Sequence, residues 1–312
     1  MSDLFKEIVG QTPVKGRLSF YLEAYHNTGV FPNVLLLSQK GSGKTRIARK
    51  VGDILNSSSV ARGHGRKDLT EINCGAISDS KYFIESLLII AKEGNVTFFF
   101  DEIHALPLDV ADWLLTAIEM GAPSNHVSFG NRSADWDFKR LSVIAATTER
   151  QKMFIPLLNR FREIELNQYS DEELAAILQQ KARIFVEDDA MQYLVSLGRG
   201  NARSVVDIAQ EINRYADSRG VKKFTKVDAE ELVGILDIFP LGLSRAEVHL
   251  LGTLQRYNSL TLTRFCSLSG LTRPAQQDAE RYLLKHGLLD INEKSHRVLT
   301  DAGRTYLQTV KI

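Results

Sequence analysis

No segment constrains the fold of this chain more than Gly41-Ser42-Gly43-Lys44-Thr45. The segment follows the apolar run Val34-Leu35-Leu36-Leu37 and precedes a helical pattern, so we expect a strand, a tight loop and a helix. Glycines let backbone N–H groups surround phosphate oxygens, and the N-terminus of a helix attracts negative charge. The first three residues are therefore predicted to cradle phosphates. Lys44 is expected to reach the β- and γ-phosphates, and the Thr45 hydroxyl to bind Mg²⁺.

A second motif ends another apolar run, Phe98-Phe99-Phe100-Asp101-Glu102. Asp101 is predicted to hold the Mg²⁺ shell, and Glu102 to orient and polarise an attacking water. An apolar strand that ends in two acids is common on its own. Because this one follows a phosphate loop at a suitable distance, the two motifs together indicate an NTPase.

The order of the elements predicts three domains. Up to Arg162, apolar strands alternate with helical patterns, which is typical of a parallel sheet covered by helices. The chain then becomes entirely helical, and its last part shows three helices and a hairpin, the order of a winged helix. We expect an α/β P-loop NTPase core at 1–167, an all-α lid at 168–238 and a winged-helix domain at 239–312.

The helix after the phosphate loop is expected to end near Leu55. The polar segments Asn56–Ser59 and Arg62–Lys67 are predicted to form a solvated surface loop. For Arg62–Lys67, contacts to DNA phosphates are the alternative. The two cysteines, Cys74 and Cys266, lie far apart and lack metal-ligand spacing, which favours a reducing compartment.

Composition and charge exclude several classes of protein. The 312 residues are 44% hydrophobic and 25% charged, values of a globular chain rather than a disordered one. No run of 18 apolar residues occurs and the start does not resemble a signal peptide, so we expect a soluble, cytoplasmic protein without a membrane span. From Leu241 onward ten Lys/Arg face six Asp/Glu, which makes this part the better candidate for contacts to phosphates.

On these motifs the sequence resembles the AAA+ ATPases and, more closely, the RuvB family of Holliday-junction branch-migration motors. The likeness covers nearly the whole chain in order. Ile8-Val9-Gly10-Gln11 is similar to the family's entry to the base site, which implies that Ile8 and Val9 contact the nucleotide. Asp101-Glu102-Ile103-His104 matches the family's acidic strand, and Ala145-Ala146-Thr147-Thr148 resembles its sensor-1 strand, placing Thr148 near the γ-phosphate.

The resemblance also assigns roles beyond the sheet. Arg160 falls where the family carries an arginine finger, which reaches the ATP of a neighbouring subunit. Gly200-Asn201-Ala202-Arg203 resembles the sensor-2 motif, and Tyr169 stands where the family has an aromatic residue near the base. Arg160 and Arg203 have a plain alternative as surface arginines, and only their register with the other motifs favours contacts to ATP. The cofactors implied are ATP and Mg²⁺.

The hairpin expected at 125–139 corresponds to the one through which the family docks its partner RuvA. Here the strands are predicted at His126–Phe129 and Trp136–Phe138, with the polar tip Gly130–Ser133. A polar tip suits a different protein partner or a DNA contact better than the apolar docking of the family. An ordinary hairpin, with Trp136 covering the core, is the open alternative.

The winged-helix region supplies the candidate DNA contacts. Side chains on its third helix and its wing are expected at phosphates and base edges, with the rest of the helix face solvated. They are Arg273, Gln276, Gln277, Arg281 and Lys285 on the helix and Lys294 and Arg297 on or beside the wing. Arg297 is favoured because it matches the family's wing arginine.

Four departures from the family indicate a divergent member. Ser38 replaces the first loop glycine, which is acceptable only where the backbone angles suit serine. Glu149 stands where the family usually has arginine, Ser57–Lys67 looks like an insertion, and the basic, proline-containing lead-in before the first helix is absent.

The leading hypothesis is an ATP-driven DNA translocase that acts as a hexameric ring around duplex or junction DNA. Glu102 would activate water and Arg160 would act from the neighbouring subunit. The first alternative is a clamp-loader-like or transposition-type ATP switch, which Asn73-Cys74-Gly75 faintly resembles. The second is a DNA-binding regulator whose nucleotide site only sets its assembly state.

Overall fold

The computed structural model describes residues 4–310, which form two compact units. The first unit extends to Glu173 and also includes Asn201–Arg203, whereas the second contains Leu174–Gly200 and continues from Ser204. Residues 1–3 and 311–312, the outer ends of the predicted first and third domains, lie outside the described residues. The predicted division into three domains stays a prediction. None of the helices in this range has the length and apolar character that crossing a membrane requires.

A five-stranded parallel sheet organises the first unit. In spatial order its strands are β2 (Asp68–Asn73), β3 (Val96–Asp101), β6 (Leu141–Thr147), β1 (Val34–Leu37) and β7 (Arg162–Glu165). Two further strands, β4 (Ser124–Phe129) and β5 (Arg132–Asp137), form the antiparallel hairpin. Because the five sheet strands are parallel, their carboxyl ends share one edge, where α/β sheets bind ligands.

The helices of the first unit pack with the sheet into two apolar clusters. They are α1 (Thr12–Thr28), α2 (Lys44–Ala61), α3 (Ser80–Glu93), α4 (Leu108–Ala117) and α5 (Ile155–Leu158). On β3, Phe98 and Phe100 enter one cluster and Phe99 enters the other. Burial on both faces explains why this strand is an uninterrupted apolar run rather than an alternating one.

The polar segment after Leu55 is not the loop that the sequence predicts. Helix α2 continues to Ala61, and the Ser57 hydroxyl donates to the carbonyl one turn earlier, 2.9 Å from the Asp53 oxygen. Lys67 is 1% exposed, and its ammonium donates to the Arg140 carbonyl at 2.7 Å. The prediction of a solvated loop was therefore wrong for its helical start and for Lys67.

The second unit contains the predicted helical segment. Its elements are α6 (Asp171–Lys181), whose first turn belongs to the first unit, β8 (Phe185–Val186), α7 (Asp188–Leu197), α8 (Ala202–Arg219), β9 (Lys223–Phe224) and α9 (Lys226–Ile235). Thr225 and Asp228 cap α9 reciprocally. The predicted capping box of Ser170 and Glu173 is also present, with amide-to-side-chain distances of 3.0 and 3.2 Å.

The winged-helix elements follow in the predicted order. They are β10 (Ile238–Phe239), β11 (Leu243–Ser244), α10 (Arg245–Tyr257), β12 (Ser259–Leu260), α11 (Leu262–Ser269), α12 (Arg273–Lys285), β13 (Leu289–Ile291), β14 (Arg297–Leu299) and α13 (Asp301–Thr309). The predicted capping box of Ser244 and Glu247 begins α10. Strands β10, β11 and β12 and helix α13 were not predicted. The strands β12, β14 and β13 form a small antiparallel sheet.

Arg199, in the loop after α7, is the centre of a dense cluster in this unit. Its guanidinium makes a bidentate ion pair with Glu247, at 2.8 and 2.5 Å. It also donates to the Gly242 carbonyl, at 2.9 and 2.6 Å, and lies 4.2 Å from the centre of the Tyr282 ring. Burial opposes ionisation of Glu247, but hydrogen bonds from Arg199 and Ser244 outweigh it and hold the pKa of this carboxyl below its usual value.

Candidate active site

The loop between β1 and α2 has the backbone that phosphate binding requires. Gly41 and Gly43 have φ values of +83° and +93°, which L side chains rarely adopt. Lys44 is buried, and its ammonium donates to the carbonyls of Ser38 at 3.0 Å and Gln39 at 3.1 Å. Burial lowers the pKa of Lys44, while the carboxylates of the neighbouring β3 end oppose that shift. The lysine is thus held at the loop by neutral oxygens, which a phosphate oxygen can replace.

Serine at position 38 fits this loop without strain. Its φ is not positive, so the position does not need the conformational freedom of glycine. The Ser38 hydroxyl contacts the Ser42 hydroxyl, and the latter donates to the Gln39 carbonyl at 2.9 Å. Serine in place of the family's glycine is therefore compatible with the backbone angles at this position.

The end of β3 brings the two predicted acids beside the loop. The Thr45 hydroxyl lies 3.5 Å from the Asp101 carboxylate. A hydroxyl and a carboxylate oxygen are ligands of the kind that Mg²⁺ takes, with water and phosphate oxygens completing its shell. Thr45 and Asp101 therefore fit the predicted metal site.

Glu102 follows with a φ of +51°, an uncommon conformation for a residue with a side chain. Its amide donates to the Asp101 carboxylate at 3.0 Å, and its own carboxylate accepts from the Thr148 hydroxyl at 3.2 Å. Thr148 follows β6, which pairs directly with β3. The strand order thus brings together two residues that are 46 positions apart in the sequence.

Residues from later in the chain hold the loop backbone. The Tyr169 hydroxyl donates to the Ser42 carbonyl at 3.1 Å, and burial raises the pKa of Tyr169. The Arg203 amide donates to the Gly41 carbonyl at 3.2 Å, whereas the Arg203 side chain is exposed. Asn201 donates to the Lys40 carbonyl at 2.9 Å. Asn201 belongs to the segment that resembles sensor 2, but the sequence alone assigns it no contact.

The backbone conformation explains why position 41 favours glycine. Its φ of +83° is one that L side chains rarely adopt. A Cβ there would also stand 2.1 Å from the Asn201 side-chain oxygen, so the Asn201 side chain would have to move.

The segment before α1, which is expected to contact the nucleotide base, is partly buried in the core. Ile8 is 4% exposed in the apolar cluster that contains β1, and Val9 is half-buried. Gln11, which sequence reasoning did not single out, exchanges two hydrogen bonds with the Asn167 backbone, at 2.7 and 3.0 Å. Of the two predicted base contacts, Val9 has the more accessible side chain.

Arg160 forms an ion pair within its own chain. One terminal nitrogen of its guanidinium lies 2.8 Å from the Glu119 carboxylate, and the side chain is 33% exposed. The buried Nε has no hydrogen-bond partner among the described residues. This buried donor is out of reach of a group from outside the chain. A guanidinium has five N–H donors, however, so one carboxylate partner at a terminal nitrogen leaves terminal donors for a further acceptor.

A family model described as "Holliday junction DNA helicase RuvB P-loop domain" matches residues 2–166. The match covers more than half of the chain. The chain belongs to the RuvB family. This confirms the predicted family and the α/β AAA+ core.

Curated RuvB relatives align over most of their own length. The "Holliday junction branch migration complex subunit RuvB" of Fervidobacterium nodosum is 25% identical over 96% of this chain and 86% of its own. The protein of that name from Wolbachia of Brugia malayi is 27% identical over 96% of this chain and 91% of its own. A solved structure, the Thermotoga maritima RuvB Holliday junction branch migration motor, has the same fold, with a TM-score of 0.76 at 24% identity and 98% and 97% coverage.

The RuvB-type hairpin is anchored in the core of this chain. Trp136 is fully buried and stacks on Phe98, with ring centroids 5.4 Å apart. Because Arg132 and Ser133 pair within β5, the tip contains only Gly130 and Asn131 rather than the predicted four residues. Trp136 therefore covers the core, as the alternative reading expected, and docking by this hairpin stays a prediction.

The candidate DNA contacts separate into exposed and buried side chains. Those exposed on α12 are Arg273, Gln277, Arg281 and Lys285, and Lys294 is exposed in the wing. Gln276 is buried, so the expectation that it faces DNA was wrong. Arg297 is 12% exposed and is ion-paired with Glu280 at 2.7 Å. The favoured wing arginine is therefore held against its own domain, which is a structural role that its sequence position did not reveal.

Proposed function

We propose that this chain is an ATP-driven motor that moves duplex DNA and drives branch migration at Holliday junctions. The convergence of a phosphate loop, an acidic strand end and a threonine from the adjacent strand carries the proposal. Family membership supports a P-loop ATPase, and the relatives named as branch-migration subunits support the junction as substrate.

In this proposal the loop amides and Lys44 bind the β- and γ-phosphates of ATP. Thr45 and Asp101 would hold Mg²⁺, which neutralises charge on these phosphates when it is bound. Glu102 orients the attacking water and accepts its proton, and Thr148 holds the Glu102 carboxylate beside the γ-phosphate. Tyr169 and Asn201 keep the loop in its binding conformation.

Arg160 completes the site of a neighbouring subunit in a ring, which we propose to be a hexamer. A guanidinium at the γ-phosphate stabilises the charge that develops during hydrolysis. Arg160 pairs with Glu119, whose side chain is 58% exposed. Because exposed ion pairs contribute little free energy, the arginine can exchange this carboxylate for a phosphate at a low free-energy cost. The Arg203 side chain, exposed beside the loop, is proposed as a second contact to ATP.

The exposed face of α12 is proposed to contact DNA. Arg273, Gln277 and Arg281 suit backbone phosphates, which give strong salt dependence and little sequence preference. The hairpin β4–β5 is proposed as the place where a protein partner binds.

The test is the ATP hydrolysis rate per subunit against protein concentration, with and without linear duplex DNA, followed by a four-way junction substrate. We expect the rate to rise with concentration, to rise again with DNA, and to accompany junction movement, and we expect Lys44→Ala to abolish all three. A low rate that responds to neither concentration nor DNA would contradict the motor. It would favour a loader-like switch or a nucleotide-gated regulator instead.

A further inference from the structure

Three residues beside Glu102 form a closed hydrogen-bonded ring. His104 Nδ1 lies 2.8 Å from the Thr147 hydroxyl, and His104 Nε2 lies 3.1 Å from the Glu149 carboxylate. The Glu149 amide donates to the Thr147 hydroxyl at 3.0 Å, which closes the ring. The imidazole is largely buried, with 13% of its side chain exposed. We call His104, Thr147 and Glu149 the histidine ring.

One arrangement of protons satisfies every bond of the ring with a single imidazole proton. The Thr147 oxygen accepts from the Glu149 amide, and its own proton can point at His104 Nδ1. In this tautomer Nδ1 is an acceptor and the imidazole proton is on Nε2, where the Glu149 carboxylate accepts it.

This arrangement affects the neighbouring carboxylate of Glu102. His104 Nδ1 lies 3.3 Å from Glu102 Oε2, close enough for a hydrogen bond if Nδ1 carried a proton. In the tautomer with the proton on Nε2, Nδ1 carries no proton and its lone pair accepts from Thr147. The Thr148 hydroxyl, 3.2 Å from the same Glu102 oxygen, then orients the carboxylate.

We propose that Glu149 is a positioning residue for hydrolysis. By accepting the Nε2 proton, Glu149 keeps Nδ1 unprotonated, so that the imidazole does not capture the Glu102 carboxylate. Glu102 then stays oriented by Thr148 and available to accept a proton from water. This inference rests on the proposed role of Glu102 as the residue that activates water.

The first test is steady-state hydrolysis by Glu149→Ala. Without its acceptor, the imidazole can place a proton on Nδ1 and bond to Glu102, so kcat should fall about 10- to 100-fold, the size of effect that misplacement of a reacting group produces. The KM for ATP and the melting temperature should stay within about 2-fold and about 2 °C of wild type, since Glu149 is 36% exposed. Glu149→Gln, whose amide oxygen can still accept from Nε2, should recover most of the lost rate.

The second test is the double variant Glu149→Ala/His104→Ala. If the loss comes from capture of Glu102 by a freed imidazole, removal of the imidazole should restore part of kcat over Glu149→Ala alone. A double variant that is no faster than Glu149→Ala, or a single variant with unchanged kcat, would overturn the proposal. Arg150→Ala is the matched control, because Arg150 adjoins Glu149 in the chain but its guanidinium pairs with Glu163, and its loss should leave kcat unchanged.

Failure of this inference can be told apart from failure of the proposed function. Glu102→Gln must abolish hydrolysis in either case if Glu102 activates water. If Glu102→Gln is inactive while Glu149→Ala is fully active, only the positioning role of Glu149 is refuted. If Glu102→Gln retains the wild-type rate, the proposed chemistry itself is wrong.

Discussion

Arg199 and Arg160 lie in loops of different units of the chain, and their guanidinium groups differ in the number of partners they contact. Arg199 has a bidentate carboxylate, a carbonyl and an aromatic face as partners, so its donors are largely satisfied. Arg160 has one carboxylate partner, at a terminal nitrogen, and its side chain is 33% exposed. A satisfied guanidinium contributes to the stability of the fold. A guanidinium with terminal donors left over retains the capacity to bind an anion supplied from outside, such as a phosphate.

The largest effect expected from this comparison is on the rate of Arg160→Ala. Loss of an arginine finger should lower ATP hydrolysis about 10³-fold or more. ATP binding, measured with a fluorescent analogue, and the melting temperature should be nearly unchanged. Arg162→Ala is the matched control, since this exposed arginine lies two residues away, and it should retain the wild-type rate. A wild-type rate in Arg160→Ala would remove the subunit-interface mechanism.

Arg199→Ala should show the opposite pattern. Removing one partner of a largely buried ion pair leaves Glu247 without compensation, which should lower the free energy of unfolding of the second unit by about 2–3 kcal/mol. Because the pKa of Glu247 is held low, the stability from this pair should be present near neutral pH and lost as the pH falls through that pKa. Thermal melts between acidic and neutral pH measure both effects.

Arg219→Ala is the control for Arg199→Ala. Arg219 also pairs with a carboxylate at 2.8 Å and lies over a tyrosine ring, but its side chain is 56% exposed. Its loss should cost less than about 1 kcal/mol. An equal cost for both variants would show that burial does not distinguish the two pairs.

Lys67 differs from both arginines, because it is buried and has no carboxylate in hydrogen-bond contact within the described part of the chain. Burial lowers the pKa of Lys67 from 10.5 to about 7. Between these two values the unfolded chain binds the proton more tightly, so the free energy of unfolding should rise with pH from about 7 towards 10.5. Denaturant titrations at several pH values should show this slope in wild type, and Lys67→Met should remove it. A slope that persists in the variant would show that another group causes it.

The smallest effect is expected from an exposed arginine on the winged-helix surface. Arg281 is 81% exposed, so Arg281→Ala should weaken duplex binding at all sequences and reduce the salt slope of the affinity by about 1. Arg297 is held by Glu280, so Arg297→Ala should lower the melting temperature more than it changes the salt slope. Binding isotherms at several salt concentrations distinguish these results. A full salt-slope loss in Arg297→Ala without a stability loss would make it a DNA contact after all.

The local signals in the sequence predicted the fold well. The phosphate loop, the apolar strands and the capping boxes each depend on residues within a few positions, so their patterns are visible without the fold. The Ser57 region was missed because contacts to the following segment hold this turn: Ser59 is buried and donates to the Gly65 carbonyl, and the Asn56 side chain accepts from the Lys67 amide.

Contacts between distant segments could not be predicted in the same way. The buried ammonium of Lys67 has its hydrogen-bond partner, the Arg140 carbonyl, 73 residues away in the sequence. The histidine ring depends on the adjacency of β3 and β6, and Asn201 reaches a carbonyl 161 residues earlier. The charged residues themselves gave no sign of these partners, because Lys67 and Glu149 look like surface residues in the sequence.

A subunit-mixing experiment tests most directly whether Arg160 acts on a neighbour's ATP. Lys44→Ala subunits lack ATP binding but carry Arg160, and Arg160→Ala subunits bind ATP but lack the finger. We expect mixtures of these two inactive variants to hydrolyse ATP, because some interfaces pair an intact ATP site with an intact finger. Energy transfer between labelled subunits establishes that the variants mix. Mixed assemblies with no hydrolysis above either variant alone would contradict a site shared between subunits.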